Sequence, residues 1–333
     1  MKYLSPTTFI KYLNCPHSVK LIKIDKVIDE NDTRIQSMAM ATGTAVDIMI
    51  KGACNHRIKV QEELDRTIEK KNKAAILLAK ELYECYEKGP LTELKKEGIG
   101  YTAAEMEIEI EWTDFPPCSL EDCRSGILSD NEPCPLCQAT LSNDKEGKIK
   151  KYKSTLMGLP DLVLTDGTVV DWKAQGMFGK GRKPMDGYCR CYVYGDGLGR
   201  AFHGKNIGSS PKGDDDVPME LINKDWAIQI YLYSRLLGHH PGKKLRCGIE
   251  NICVDSDNTI YIASFRNPIS STFQLDIEKK FHLAWIALTT GTTEAPFASK
   301  YKCYSYNKLC PVSAFCSSFT KGQEDSGPTL IQL

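Results

Sequence analysis

Two short runs decide the predicted fold of this chain: Gly158-Leu159-Pro160-Asp161 and Val169-Val170-Asp171-Trp172-Lys173. The residues between them are apolar up to Leu164, and Asp166-Gly167 is typical of a turn. The segment therefore predicts a β-hairpin whose two strands lie side by side. Asp161 and Asp171 then converge on one point, and Lys173 lies on the same face as Asp171 because side chains two positions apart share a face of a strand.

The residue types of this hairpin indicate a particular chemistry. Two carboxylates supply hard oxygen ligands, which suit Mg²⁺ or Mn²⁺. A neighbouring ammonium can polarise an attacking water and offset the charge on a phosphorane. The pattern thus points to metal-dependent hydrolysis of a phosphodiester bond. Its alternative is an ordinary surface hairpin, because Asp-Gly turns and strand-end carboxylates that face water are common.

A second pattern lies in the apolar periodicity from Asp225 to Leu237, which predicts a helix. Gln229 and Tyr233 are spaced i and i+4 in this segment, so they share one face of that helix. An amphipathic helix with a buried polar pair would show the same spacing. The pair is therefore a candidate part of a site only in combination with the hairpin.

Two further segments near the N-terminus predict helices. In Leu4 to Pro16, either Ser5 or Thr7 has the character of a helix N-cap, and Cys15-Pro16 ends the helical run. The run Gly43-Thr44-Ala45-Val46-Asp47 is predicted to open another helix.

In this order, the motifs resemble the RecB-like nucleases of the PD-(D/E)XK superfamily. The likeness is to the iron–sulfur branch, as in CRISPR-associated and phage RecB-like exonucleases, and it covers roughly residues 4 to 316 in five short blocks. The resemblance implies an α/β fold with a restriction-endonuclease-like core, in which a mixed central sheet is flanked by helices and carries cysteine-rich metal-binding insertions. It also implies a Mg²⁺- or Mn²⁺-dependent deoxyribonuclease, an exonuclease acting at single-stranded DNA ends and leaving a 5′-phosphate. Its partners would be DNA and proteins of phage or bacterial recombination, replication or CRISPR adaptation.

The resemblance also implies roles for individual residues of the hairpin. Asp161 matches the metal-binding aspartate of the family's GxPD block, and Asp171 matches the acidic ligand of its DxK block. Lys173 matches the catalytic lysine. The backbone carbonyl of Trp172 would be a further metal ligand.

Outside the hairpin, Gln229 and Tyr233 match the QxxxY block, which orients the DNA and the catalytic groups. Asp47 is a departure, because this branch usually carries a histidine there; as a harder ligand, a carboxylate also suits Mg²⁺ or Mn²⁺. One of Glu105 and Glu107 is either the glutamate that the family often carries before the core hairpin or a residue on a solvated strand face.

One rival interpretation is a nuclease-fold protein that binds DNA or serves assembly, with catalysis impaired at Asp47. The other is a cysteine-rich zinc scaffold.

The chain contains 14 cysteines and lacks an apolar secretory segment after Met1. No run approaches the ~18 apolar residues of a membrane span, so we expect a cytoplasmic protein without a membrane association. Clustered cysteines in a reducing compartment indicate metal more often than disulfides.

Four cysteines in the middle of the chain have the spacing C-x4-C-x10-C-x2-C, which predicts a structural Zn²⁺ site or else unliganded thiols. The site would hold an insertion that contacts DNA or a partner. Its residues are Cys118, Cys123, Cys134 and Cys137.

The resemblance implies a [4Fe–4S] cluster held by one early cysteine, Cys15, and three late ones, Cys303, Cys310 and Cys316. Five residues separate Cys310 from Cys316, which is the spacing of the branch. Six residues separate Cys303 from Cys310, and Asn307 stands where the branch has a cysteine. A zinc ion in the same pocket and loose thiols are the alternatives. The expected role is a staple that joins the two ends of the chain.

Length and charge fit a single elaborated domain. The 333 residues carry 43 Lys+Arg and 43 Asp+Glu, so any DNA binding must come from local rather than global positive charge. The predicted nuclease domain is 1–320. It contains the zinc insertion 113–148, an irregular insertion 174–220 with some strand from Tyr188, and the cysteine cluster 301–318, and it is followed by a flexible tail, 321–333.

Overall fold

The computed structural model describes twelve stretches of the chain: residues 2–28, 37–54, 58–68, 72–101, 106–114, 150–175, 190–195, 200–204, 217–254, 259–293, 304–305 and 308–316. Within them the fold is mixed α/β, with a mixed sheet flanked by helices. The predicted fold class is confirmed at this level.

Helices make up most of the first hundred residues. Ser5 is the N-cap of the first helix, because its side chain accepts a hydrogen bond from the backbone N–H of Thr8. It is one of the two residues that the sequence predicted for this role. Cys15 separates the first two helices, and Pro16 begins the second. The helices are α1 (Pro6–Asn14), α2 (Pro16–Lys23), α3 (Met38–Cys54), α4 (Val60–Thr67), α5 (Lys73–Lys88) and α6 (Pro90–Glu97).

In the described part of the chain, seven strands, two helices, four strands and one further helix then follow. The strands before residue 217 are β1 (Ile99–Tyr101), β2 (Met106–Asp114), β3 (Lys150–Gly158), β4 (Leu162–Leu164), β5 (Val169–Gln175), β6 (Arg190–Gly195) and β7 (Arg200–Gly204). They are followed by α7 (Met219–Ile222), α8 (Lys224–Leu236), β8 (Leu245–Arg246), β9 (Gly248–Val254), β10 (Ile260–Phe265), β11 (Pro268–Ile269) and α9 (Ser271–Thr290). The short strands β12 (Tyr304–Ser305) and β13 (Lys308–Leu309) and a 3₁₀ turn (Ser313–Phe315) follow.

The central sheet has the strand order β1-β4-β5-β9-β10-β6-β7. Strands β5 and β9 are parallel, and the other neighbouring pairs of this sheet are antiparallel. The predicted hairpin is the β4–β5 pair, with Leu162 opposite Val170 and Val163 opposite Val169. Its second strand, β5, carries Asp171 and lies in the interior of the sheet between β4 and β9.

Alternation along β5 explains why helices cover both faces of this sheet. Val169 is buried among residues of α1, α8 and α9 on one face. Val170 and Trp172 point the other way and are buried against α3 and α5. Because both faces bury apolar side chains, β5 is a central strand. Its polar residues Asp171 and Lys173 therefore need partners within the protein.

The predicted insertions are placed only in part. Strands β2 and β3 pair from Met106 opposite Gly158 to Asp114 opposite Lys150, so the segment 115–149 leaves and returns at one end of this hairpin. The four cysteines of the predicted zinc site, the tail and most of 174–220 lie outside the described residues. Within 174–220, β6 and β7 extend the central sheet beyond β10. That range therefore supplies the last two strands on one side of the sheet, and β7 is the edge strand.

None of the helices within the described stretches combines the length and the apolar character needed to cross a membrane.

Candidate active site

The β4–β5 hairpin brings Asp161 next to Asp171. Asp161 directly precedes β4, and its Oδ2 accepts a hydrogen bond from the backbone N–H of Trp172 at 3.0 Å. The neighbouring residue on β5 is Asp171, whose carboxylate is close enough to be influenced by the charge of Asp161. The two aspartates therefore meet as the hairpin predicted.

The carboxylate of Asp171 is buried and contacts two other candidate residues. Its Oδ1 accepts a hydrogen bond from Nε2 of Gln229 at 3.2 Å. The ammonium of Lys173 contacts its Oδ2, although without regular hydrogen-bond geometry. Lys173 thus lies on the face of β5 that carries Asp171, as alternation along the strand requires.

The side-chain amide of Gln229 joins the hairpin to helix α8. Its Oε1 accepts a hydrogen bond from Nζ of Lys173 at 2.7 Å, and its Nε2 also donates to the hydroxyl of Tyr233 at 3.0 Å. Asn223 begins α8 by accepting a hydrogen bond from the backbone N–H of Trp226. Gln229 and Tyr233 occupy the same face of this helix, as their spacing predicted. The two residues and the hairpin lysine form one connected group.

Gly158 explains how α8 comes so close to the hairpin. A Cβ atom at this position would lie 2.9 Å from Cε1 of Tyr233 and 3.0 Å from Cδ1 of Leu236. Because these distances are shorter than normal carbon contacts, a larger residue would push the helix or the tyrosine ring away. The glycine of the Gly158-Leu159-Pro160-Asp161 run is therefore a packing requirement of the site.

Helix α3 supplies Asp47 and a residue that sequence reasoning missed, Lys51. The helix begins at Met38 rather than at Gly43, and Gly43 lies in its interior. A Cβ atom at Gly43 would be 2.9 Å from the backbone oxygen of Ala174, so this glycine lets α3 approach β5. One turn after Asp47, Nζ of Lys51 lies 2.8 Å from Oδ2 of Asp47 and 3.1 Å from Oδ1 of Asp161; the i,i+4 spacing with Asp47 was its only sequence signal.

The three carboxylates influence one another electrostatically. Burial, followed by the charge of Asp161, raises the pKa of Asp171 to about 8, although the ammonium of Lys173 acts in the opposite direction. Burial and the charge of Asp161 also raise the pKa of Asp47. Burial alone would lower the pKa of Lys51, but the two carboxylates beside it raise that pKa above its ordinary value. Burial and the neighbouring Asp161 therefore disfavour the charged forms of Asp171 and Asp47, and the ammonium groups of Lys173 and Lys51 offset part of this effect.

Trp172 presents only its backbone to this group. Its indole ring lies on the opposite face of β5, where Nε1 donates a hydrogen bond to the hydroxyl of the fully buried Tyr86 at 2.8 Å. The side chain thus anchors β5 to α5, while the backbone N–H holds Asp161.

Asn251 is a second residue that the sequence patterns did not reveal. It is buried on β9 and lies beside Lys173 in the parallel β5–β9 register. Residues opposite each other in neighbouring strands point to the same face, so the side chain of Asn251 lies on the face of Asp171 and Lys173. Its Oδ1 is buried and has no hydrogen-bond partner in the described part of the chain.

Of the two glutamates considered on the preceding strand, only Glu107 belongs to the described residues. Its side chain is exposed on β2 and lies 3.9 Å from Nζ of Lys2. Glu107 therefore takes no part in the group around Asp171. Glu105 lies outside the described residues.

The cysteines predicted to bind a cluster are only partly described. Cys15 is half-buried between α1 and α2, and Cys310 and Cys316 flank a turn in which Ser313 bonds to both of their backbones. Cys303 lies outside the described residues. Across the described stretches, no three His, Cys, Asp or Glu side chains form a ready-made metal-binding group. The cluster therefore stays a prediction.

For the aspartates, the donor chemistry fits a hard divalent cation even though the ammonium groups of Lys51 and Lys173 now contact them. Asp161 and Asp171 supply oxygen donors, and their mutual repulsion in a buried place is the kind of strain that a bound cation relieves. The residues present thus suit Mg²⁺ or Mn²⁺.

No protein-family model and no curated protein matches this chain.

Proposed function

We propose that this protein is a metal-dependent DNA exonuclease with a RecB-like PD-(D/E)XK core. One observation carries the proposal: Asp171 and Lys173 of one strand share the side-chain amide of Gln229, while Asp161 is held beside them by the hairpin. These are the residues at which the sequence resembles that family. Their convergence supports the proposal because 58 sequence positions separate Asp171 from Gln229.

The arrangement of elements around the group also supports a PD-(D/E)XK core. An antiparallel hairpin, β4–β5, is followed in the sheet by the parallel neighbour β9 and then by the antiparallel strand β10. Helix α8 covers the face on which Asp171 and Lys173 lie. This places the candidate catalytic side chains at the junction of the central sheet with one helix layer.

In the proposed reaction, Asp161 and Asp171 would hold Mg²⁺ or Mn²⁺, together with the backbone carbonyl of Trp172. When bound, such an ion supplies an acidified water and neutralises charge on a phosphate oxygen. The ammonium of Lys173 orients the water and stabilises the negative charge that develops on the phosphorus oxygens. The oxygen of the water would bond to phosphorus while the P–O3′ bond breaks, and the proton lost by the water would be balanced by protonation of the 3′-oxygen. One product then carries a 5′-phosphate and the other a 3′-hydroxyl.

Gln229 and Tyr233 act as positioning residues in this scheme. The amide of Gln229 contacts both Lys173 and Asp171, and its own orientation is fixed by the hydroxyl of Tyr233. An amide with both ends engaged cannot rotate without breaking these bonds. It therefore keeps the lysine ammonium at a constant distance from the carboxylate.

The test is the degradation of end-labelled single- and double-stranded DNA with Mg²⁺ or Mn²⁺. Wild-type protein is compared with Asp171→Asn and Lys173→Met, which keep similar volumes and remove one charge each. Matched controls are Asp276→Asn and Lys279→Met on the exposed side of α9. We expect ion-dependent cleavage that both site variants lose and both controls retain.

A separate readout avoids dependence on finding the right DNA. Mn²⁺ binding measured by calorimetry should be lost in Asp171→Asn and retained in Asp276→Asn. Equal cleavage and equal Mn²⁺ binding by wild type and Asp171→Asn would contradict the proposal.

A specific observation favours a second candidate, a nuclease-fold protein that binds DNA with impaired catalysis. The ammonium of Lys51 contacts both Asp47 and Asp161, so an internal cation already neutralises part of the candidate metal site. This candidate predicts DNA binding without cleavage under any ion condition. The assays above separate the two functions.

The predicted metal cofactors are tested separately. We propose a [4Fe–4S] cluster at Cys15, Cys303, Cys310 and Cys316, with zinc as its alternative, and structural Zn²⁺ at the quartet that begins at Cys118. Protein purified without oxygen should be brown, absorb at about 400 nm and contain iron, and Cys15→Ser should lose the colour. Cys54→Ser, in α3, is the control. Zinc without iron in the purified protein would favour the zinc alternative.

A further inference from the structure

Lys51 contacts two of the three carboxylates at the candidate active site. Its Nζ lies 2.8 Å from Oδ2 of Asp47 and 3.1 Å from Oδ1 of Asp161. The other oxygen of Asp161 accepts the hydrogen bond from the backbone of Trp172. Both oxygens of Asp161 are therefore engaged by groups of the protein itself.

The surroundings of Lys51 distinguish it from an ordinary surface ion pair. Its side chain is only 21% exposed, and that of Asp161 is 14% exposed. The same i,i+4 arrangement of aspartate and lysine occurs on α9 between Asp276 and Lys280, whose side chains are 46% and 42% exposed. Because shielding from water strengthens an ion pair, Lys51 is held in place more firmly than Lys280.

The charges of the site indicate what Lys51 does. Three carboxylates lie together with two ammonium groups, those of Lys51 and Lys173. Each carboxylate then has an ammonium contact, so cations of the protein itself offset part of the negative charge before any ion is added. A divalent ion that binds Oδ1 of Asp161 meets the ammonium of Lys51 at the same oxygen, so the two cations repel each other and compete for it.

We propose that Lys51 is a built-in cation that competes with a divalent metal ion for Asp161. This inference rests on the proposed function, because it concerns the same site. When an ion binds, the Lys51 ammonium leaves Oδ1 of Asp161 and stays paired with Asp47, one helical turn away. Asp47 is then the positioning residue of Lys51.

The displaced ammonium has a second consequence for substrate binding. One divalent ion adds two positive charges to these five side chains. A phosphate group of DNA is therefore attracted more strongly once the ion is bound. Lys51, which remains beside Asp47, then supplies a positive charge next to the phosphate.

The test is a titration with Mn²⁺ in the absence of DNA, followed by calorimetry and by thermal unfolding. The proteins are wild type, Lys51→Met, Lys51→Arg and the matched control Lys280→Met. Removing a positive charge about 4 Å from a divalent ion should tighten Mn²⁺ binding at least tenfold in Lys51→Met. Lys51→Arg, which keeps the charge, and Lys280→Met should bind Mn²⁺ as wild type does. Mn²⁺ should also raise the unfolding temperature of Lys51→Met more than that of wild type.

The outcomes separate this inference from the proposed function. If wild type binds Mn²⁺ only when Asp171 is present, and Lys51→Met binds it equally well, the competition is overturned. The nuclease proposal is then left intact. If Lys51→Met binds Mn²⁺ and wild type does not, the competition is supported. That result also favours the second candidate function, in which the wild-type protein is catalytically impaired. If neither protein binds Mn²⁺, the competition and the nuclease proposal both fail. Circular dichroism of each variant shows whether it is folded.

Discussion

Oε1 of Gln229 accepts a hydrogen bond from Nζ of Lys173 at 2.7 Å, although 56 positions separate the two residues. The bond joins helix α8 to the central strand β5. It fixes the position of an ammonium group that has the buried carboxylate of Asp171 as its other neighbour. Several predictions about the site and the fold depend on such contacts between distant segments.

Gln229→Leu should lower DNA cleavage by about a hundredfold or more. The leucine removes hydrogen bonds to two charged groups, which contribute about 1.5–3 kcal/mol each. Single-turnover cleavage rates at saturating Mn²⁺ measure the effect. Gln61→Leu on the exposed face of α4 is the control and should cleave as wild type does. An unchanged rate in Gln229→Leu would show that the amide does not orient the catalytic groups.

Gly158→Ala should destabilise the fold and impair the site together. The new methyl group would lie 2.9 Å from Cε1 of Tyr233, so the ring must move, at an expected cost of about 1–3 kcal/mol. Urea unfolding and the cleavage assay measure the two effects. In Gly167→Ala the added methyl group meets nothing within 4 Å, but φ is +86°. This control should lose about 1 kcal/mol through backbone strain and keep its cleavage rate.

The buried carboxylate of Glu278 should make the stability of the protein sensitive to acid. It accepts hydrogen bonds from Tyr231 at 2.6 Å and from Arg235 at 3.1 Å. Burial alone would raise its pKa, but the contacts with His282, Arg235 and Tyr231 outweigh burial and hold the pKa below 4.5.

Because the folded state lowers this pKa, its stabilisation is present above pH 4.5 and is lost as the pH falls through the folded-state value. Glu278→Gln should lower the free energy of unfolding by about 3 kcal/mol at pH 7, since Arg235 keeps a buried charge without its partner. Urea unfolding between pH 7 and more acidic conditions tests this dependence. The exposed Glu109→Gln on β2 is the control and should unfold as wild type does at every pH. A parallel acid response in wild type and Glu278→Gln would rule out Glu278 as its source.

Tyr86→Phe should destabilise the protein by about 1–3 kcal/mol without changing cleavage. The substitution leaves the indole N–H of Trp172 buried without its 2.8 Å acceptor. The backbone of Trp172, which faces the candidate site, is unaffected. Tyr83→Phe is the control on the same helix, because the Tyr83 hydroxyl bonds to Glu87 near the surface. A loss of cleavage in Tyr86→Phe at full folding would mean that the opposite face of β5 influences the site.

Local patterns were sufficient for the elements of the candidate site. The Asp-Gly turn and the apolar runs around it predicted the β4–β5 hairpin, and i,i+4 spacing predicted that Gln229 and Tyr233 share a helical face. Alternation along β5 likewise predicted that Lys173 lies beside Asp171. These features follow from the repeats of strands and helices, which sequence positions specify directly.

Which side chains from different elements meet depends on how the elements pack together. Lys51 belongs to the site because Gly43 lets α3 approach β5, and Asn251 because β9 is the parallel neighbour of β5. The strands β6 and β7 join the central sheet through β10, although their segment has no strong apolar pattern. Packing distances and strand order arise from contacts between residues far apart in the chain. No local repeat in the amino-acid sequence encodes them, so they appear only when the sheet and both helix layers are assembled.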